Sequence, residues 1–184
     1  MLKALLSRQI TGFERTWSYD ASYMRELLAA SPWTFLKFSI VAAMTPRHDA
    51  PAAALAAVGI VGTLAEDCGP CTQICTDMAA RGGVPAAVLK AILAGDSEAM
   101  GGDAALGYEF ARAVLAKDIE GGDTARRAVV ARWGQKGLVA LSLALTTARI
   151  YPTVKYALGH GQTCSRVQVS GETAAVVRPL ALAA

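Results

Sequence analysis

Histidine is nearly missing from this 184-residue chain, which has two, His48 and His160. A nucleophile–histidine pair or a His-rich metal centre therefore has little to be built from. Charge is also sparse: 18% of residues are Asp, Glu, Lys or Arg, against about a quarter in ordinary domains. The net charge is only +3 and no Lys/Arg run stands out. Arg126-Arg127 is the densest basic spot and fits a solvated helix face, so nucleic-acid binding has no positive support. No block of alternating polarity precedes the C-terminal tail, which argues against a sheet-based core. The N-terminus turns polar before an apolar h-region forms, so no secretory signal is read. Residues 50–65 are uncharged but fall short of the roughly 20 residues a membrane span needs. They also contain Pro51, Gly59 and Gly62, and read as a buried core helix. Residues 33–44 are apolar but broken by Lys37. These absences imply no membrane span and a cytoplasmic chain.

What is abundant is apolar. Hydrophobic residues make up 53% of the chain, much of it alanine, enough for one domain with a sizeable core. Such a composition favours closely packed helices and leaves apolar surface for a homo-oligomer. The fold class is all-α. Residues 1–45 read as an N-terminal helical arm and residues 46–184 as the main helical domain. In the arm, Asp20 is the N-cap candidate for a helix carrying Tyr23, Leu27 and Leu28, and Ser31-Pro32 opens another. Further helices are expected over about 51–65, 70–81, 85–94, 103–117, 124–133 and 136–150. Asp103 and Asp123 are their cap candidates, Gly134 is a stop, and Pro152 a kink or restart. The tail after Gly161, with Val167, Val169, Val176 and Val177, reads as extended or irregular.

Four cysteines are present, and three fall in Glu66-Asp67-Cys68-Gly69-Pro70-Cys71-Thr72-Gln73-Ile74-Cys75. C-x-x-C is the spacing at which two thiols close a small disulfide ring or share a metal. Pro70 suits a first helical turn, where its missing N–H costs nothing. Gly82-Gly83 and Pro85 mark the end of that helix. Cys71 thus sits in the first turn, where backbone N–H groups favour a thiolate, with Cys68 just outside. Cys75 lies one turn further along the same face. Glu66 and Asp67 are candidates to cap the helix or to exchange protons. With no export signal, a C-x-x-C is more often redox-active or metal-binding than a structural staple.

This stretch resembles the carboxymuconolactone decarboxylase superfamily, and within it the alkylhydroperoxidase D-like (AhpD-like) proteins. The resemblance spans roughly residues 50–160. It is carried by Cys68-Gly69-Pro70-Cys71 between two helices, by Met78-Ala79-Ala80-Arg81-Gly82-Gly83-Val84-Pro85, by Tyr108-Glu109-Phe110-Ala111-Arg112, and by Arg149-Ile150-Tyr151-Pro152 running to Gly159. It implies a compact all-helical subunit that assembles as trimers or their multiples. It also implies a dithiol/disulfide cycle that reduces peroxides or passes electrons to a thiol partner, with no cofactor. Cys71 matches the peroxide-reacting cysteine and Cys68 its disulfide partner. The chain departs from the family twice. Cys75 stands where the family has a histidine, and no carboxylate lies near Leu55-Ala56-Ala57, where the family has an acid. The family's proton relay is absent as written, a function usually worth about 10²- to 10⁴-fold in rate.

Three readings of the cysteines compete. One is a reversible Cys68–Cys71 disulfide, with Cys75 as an alternative resolving thiol. Another is a zinc or iron–sulfur site of Cys68, Cys71 and Cys75 with Cys164 or His160. The third is inert core thiols in an assembly protein. His48, His160, Cys164 and the three tryptophans read as structural or solvated.

Overall fold

The structure is a computed structural model that describes residues 2–161 and 166–177. The described residues are helical almost throughout, as the composition implies. Eight α-helices are followed by one small hairpin: α1 Leu2–Trp17, α2 Ser22–Ala30, α3 Pro32–Ser39, α4 Ala52–Ala65, α5 Gly69–Arg81, α6 Ala86–Ala94, α7 Gly102–Ala116, α8 Ile119–Ala157, then β1 Val167–Val169 and β2 Glu172–Ala174.

Helix α4 is the axis of the main body. A helix apolar on every side has no face to offer water and must be enclosed. Accordingly every residue from Ala56 to Leu64 is buried, with α5, α6, α7 and α8 packed around it. Small residues let these helices approach closely. At Gly107 of α7, an added Cβ would lie 2.6 Å from the Ala54 carbonyl oxygen of α4, a backbone atom that cannot swing aside. Gly107→Ala should therefore lower the unfolding free energy by about 1–3 kcal/mol, the usual cost of overpacking. Urea denaturation of the variant checks this, and an unchanged midpoint would refute it.

The arm builds a second, separate cluster. Leu6 and Ile10 of α1, Tyr19, Ala21, Tyr23 and Leu28 around α2, and Phe35 of α3 are buried together. Ile74 of α5, Val154 of α8 and Leu158 just past its end close it from the body side. Edge-to-face rings run through it, from Phe13 to Tyr19, Tyr23, Phe38 and Tyr151, a geometry that favours aromatic quadrupoles. Two polar features fix the chain's entry into α2 and α3. Ala21, not the expected Asp20, is the N-cap of α2, and Asp20 Oδ1 accepts instead from the Ser22 amide at 2.9 Å; the Ser31 hydroxyl caps α3, accepting from the Thr34 amide at 3.2 Å. At the edge of the cluster, the Arg81 guanidinium lies 3.9 Å from the Trp17 ring centroid and donates to the Thr16 carbonyl. Both contacts hold α1 against α5.

Several boundaries differ from the sequence expectation. Helix α7 is preceded by Gly101, whose φ of 75° only glycine adopts easily. Asp103 is not its cap but lies in the first turn, paired with Arg132. Helix α8 starts at Ile119, because Asp118 accepts from the Gly121 amide. That cap carries the helix through Gly121-Gly122, and Asp123 pairs instead with Arg126. Gly134 does break α8, with φ 69° and ψ −176°. Pro152 does not break it, and the helix runs on to Ala157. By length and composition alone, α8 is also the one described helix apolar enough to cross a bilayer, and 39% of its apolar 18-residue stretch is buried inside the fold. Core helices meet the same test.

The described part of the tail, residues 166–177, is extended, one of the two forms expected, and folds as a hairpin. β1 and β2 pair antiparallel, with Val167 opposite Ala174, and Val167 and Val169 are buried in the body core. Gln73 of α5 anchors the hairpin through its side chain. It accepts from the Gln168 amide at 2.7 Å and donates to the Gln168 carbonyl at 3.0 Å, as a neighbouring strand would. Cys164 lies outside the described residues.

Candidate redox site

The turn from α4 into α5 sets the site. Asp67 has φ 50°, a left-handed conformation that Asp tolerates better than most residues. It turns the chain back on itself, and the Asp67 amide donates to the Leu64 carbonyl. Cys68 is then extended and becomes the N-cap of α5, with Pro70 in the first turn. This places Cys68 and Cys71 on adjoining positions at the helix mouth. Their Cα atoms are 5.3 Å apart and their sulfurs form a disulfide. Both residues are buried, at 0% and 3% exposure.

Cys75, the third thiol of the stretch, is free. One turn along α5 it faces α4, where a Cβ on Gly59 would come within 2.9 Å of its Sγ. The residue as a whole keeps some surface, yet its sulfur is enclosed, and desolvation pushes the thiol up to about 12. At neutral pH it is a protonated, weak nucleophile.

Glu66 is engaged elsewhere. Its carboxylate accepts from Arg149 Nε at 2.5 Å and from the Thr153 hydroxyl at 3.4 Å. The Tyr156 hydroxyl donates to the Asp67 carbonyl at 2.9 Å. Arg149, Thr153 and Tyr156 recur at helical spacing along one face of α8, so that helix clamps the α4–α5 turn. The contacts tie Glu66 and the Asp67 backbone to α8.

The arm supplies what the sequence reading missed. Tyr19 reaches from the α1–α2 link to the site, and its hydroxyl is 3.9 Å from Cys71 Sγ. A disulfide sulfur carries no proton, so the hydroxyl is the donor. Burial pushes the Tyr19 phenol up to about 12, and a side-chain hydrogen bond with Tyr23 lowers it against that trend. Beneath both rings lies Lys155 of α8, only 1% exposed. Its Nζ has no hydrogen-bond partner and sits 4.9 Å from the Tyr19 centroid and 5.9 Å from that of Tyr23. Desolvation holds this amine below the usual lysine range, and Asp20 acts in the opposite sense. The one sequence signal was a single lysine among the apolar residues of the last turns of α8. Such lysines usually extend their ammonium to water.

The remaining candidates lie apart from the disulfide. His160 pairs with Glu26 at 2.8 Å, tying the end of α8 to α2. His48 lines an open surface depression with Ser39, Thr45, Pro46 and Arg47. Among the described residues, no group of three or more His, Cys, Asp or Glu side chains is arranged to hold a metal ion.

The chain matches no family model, no curated protein and no solved structure. The functional reading of the site therefore rests on its own geometry and on the motif resemblance.

Proposed function

We propose that this chain is a thiol-dependent oxidoreductase of the AhpD-like kind, cycling Cys68 and Cys71 between dithiol and disulfide. The observation that carries the reading is the Cys68–Cys71 disulfide at the mouth of α5. In the reduced protein, the N-terminal amides of that helix favour a thiolate at Cys71. The thiolate attacks one oxygen of a peroxide, the O–O bond breaks, and the departing alkoxide or hydroxide takes a proton. Tyr19 is the hydroxyl nearest the sulfur among the described contacts. It is suited to deliver that proton and then recover one from water. Cys71 is left as a sulfenic acid. The Cys68 thiol attacks it, the S–S bond forms and water leaves. A dithiol reductant, itself oxidised to a disulfide, returns both cysteines to thiols. Burial of both sulfurs favours a small peroxide over a protein disulfide as the oxidant. Assembly into a homo-oligomer, a trimer or a multiple, is supported by the apolar surface of the arm, where Trp33, Ile40 and Met44 are exposed.

The same burial favours a second reading, in which the disulfide is a permanent staple of the α4–α5 turn. One experiment separates them. The protein is reduced with dithiothreitol, freed of reductant and given one equivalent of hydrogen peroxide. Its thiols are then counted and mapped by alkylation and peptide mass. The oxidoreductase reading expects loss of the Cys68 and Cys71 thiols within minutes, and their return on renewed reduction. A disulfide that resists reduction in the folded state, or a reduced pair inert to peroxide, rejects it in favour of the staple.

A further inference from the structure

Lys155 is the one described side chain whose polar atom is fully buried with no hydrogen-bond partner. An ammonium in that position loses hydration that nothing nearby replaces by hydrogen bonding. Helix α8 had alternatives. Its neighbour Tyr156 is exposed, and a lysine one position along would reach water. What the buried amine has instead is the face of two tyrosine rings, and the nearer one ends in the hydroxyl on Cys71. Three elements thus converge in one line: Lys155 of α8, Tyr19 of the arm and Cys71 of α5.

We propose that Lys155 is the positioning residue of this redox centre: its buried ammonium, seated on the ring of Tyr19, holds the Tyr19 hydroxyl against Cys71 and balances the negative charge when Cys71 ionises. The proposal rests on the oxidoreductase reading. A cation over the face of a phenol is attracted by the ring quadrupole and makes its O–H a stronger donor. A stronger donor stabilises the thiolate it faces. The effect is electrostatic and acts in the reduced state. In the oxidised state neither sulfur carries charge, so Lys155 has no anion on Cys71 to balance. The cost of burying the amine is thereby offset most when the thiolate is present, which favours the reduced form of the couple.

Other ionisable groups face this cluster. Asp20 of the arm acts on Lys155 directly. His160, at the end of α8, acts on Asp20 and is itself paired with Glu26 of α2. Tyr23 of α2 and Tyr151 of α8 complete the set. The test must therefore read Cys71 itself, rather than overall activity against pH.

The variant is Lys155→Met, which keeps the chain length and removes the charge. The readout is the pH dependence of iodoacetamide alkylation at Cys71, located by peptide mass after reduction of the full chain. Loss of the cation seated on the ring whose hydroxyl faces the sulfur should raise the apparent pKa of Cys71 by about one unit. The potential of the couple, measured against dithiothreitol, should become more negative. Tyr19→Phe should raise that pKa as well, and adding Lys155→Met to it should raise it further by less than Lys155→Met does alone, because part of the effect of Lys155 passes through that hydroxyl. Superimposable alkylation profiles for wild type and Lys155→Met overturn the proposal, as does a full, additive shift in the Tyr19→Phe background. If Lys155→Met does not fold, Lys155→Gln and the Tyr19→Phe comparison carry the same test. A reduced pair inert to peroxide would reject the oxidoreductase reading while leaving the Cys71 profile measurable, and a disulfide that resists reduction in the folded chain would overturn both. The two failures are thus distinct.

Discussion

Cys71→Ser should reduce peroxide-driven oxidation to the uncatalysed background, whereas Cys68→Ser should stop after one oxidation per chain. The asymmetry follows from geometry. Cys71 lies in the first turn of α5 and has the Tyr19 hydroxyl beside its sulfur. It therefore has both a reason to ionise and a proton donor for the leaving group. Cys68 is the N-cap and is fully buried, suited to closing the ring on an oxidised neighbour. Without Cys68, the sulfenic acid at Cys71 has no partner in place. Cys75 is not a substitute, since its sulfur faces Gly59 across α4 and its thiol is held protonated. Intact mass after peroxide treatment, with dimedone to trap sulfenic acid, reads both outcomes. A Cys71→Ser protein that still consumes peroxide, or a Cys68→Ser protein that turns over repeatedly, would reverse the assignment.

The second large effect concerns access. Both sulfurs are buried, and Tyr19 of the arm lies on one of them. The arm has its own apolar cluster, distinct from that around α4. Ile10, 2% exposed, belongs to the first cluster and Ile60, 0% exposed, to the second. Truncating either to alanine should cost about 2–5 kcal/mol where it is packed. In Ile10→Ala that loss falls on the arm and lowers the free energy of lifting it from Cys71. Where reduction proceeds through that opening, dithiothreitol should reduce the disulfide roughly 30- to several-thousand-fold faster, at about tenfold per 1.4 kcal/mol. In Ile60→Ala the loss falls on global stability, with much less effect on the reduction rate in native conditions. Timed alkylation of released thiols, beside a urea melt of each variant, checks this. Equal reduction rates in the two variants would mean that the arm does not control the path to the sulfurs.

Elements whose physics is local were legible in the sequence. The start of α5 followed from Cys68-Gly69-Pro70-Cys71 and its end from Gly82-Gly83. The enclosed helix α4 followed from an uncharged, alanine-rich run, and the break at Gly134 from a lone glycine between two helical patterns. Where two local signals competed, the sequence was ambiguous. Asp123 is the expected cap, yet the capping bond goes to Asp118, which accepts from the Gly121 amide, and Asp123 pairs with Arg126 inside the helix. The tail showed alternate valines without a sheet to receive them. Its partner is the side chain of Gln73 on a helix, 95 residues away, which no periodicity announces.

The sequence alone determined that the chain is all-α, that α4 is enclosed, and that two cysteines share the mouth of a helix. Each depends on residues within a few turns of one another. Only the tertiary structure decided what surrounds the sulfurs. It brought Tyr19 from the arm onto Cys71, turned Cys75 towards α4, tied Glu66 to Arg149 and enclosed Lys155 without a hydrogen bond. The Tyr19–Cys71 and Glu66–Arg149 contacts join positions 52 and 83 residues apart. A tyrosine, glutamate or lysine carries the same functional group wherever it stands. Which of them meets a thiol is set by how separate helices pack, and that is a property of the assembled core.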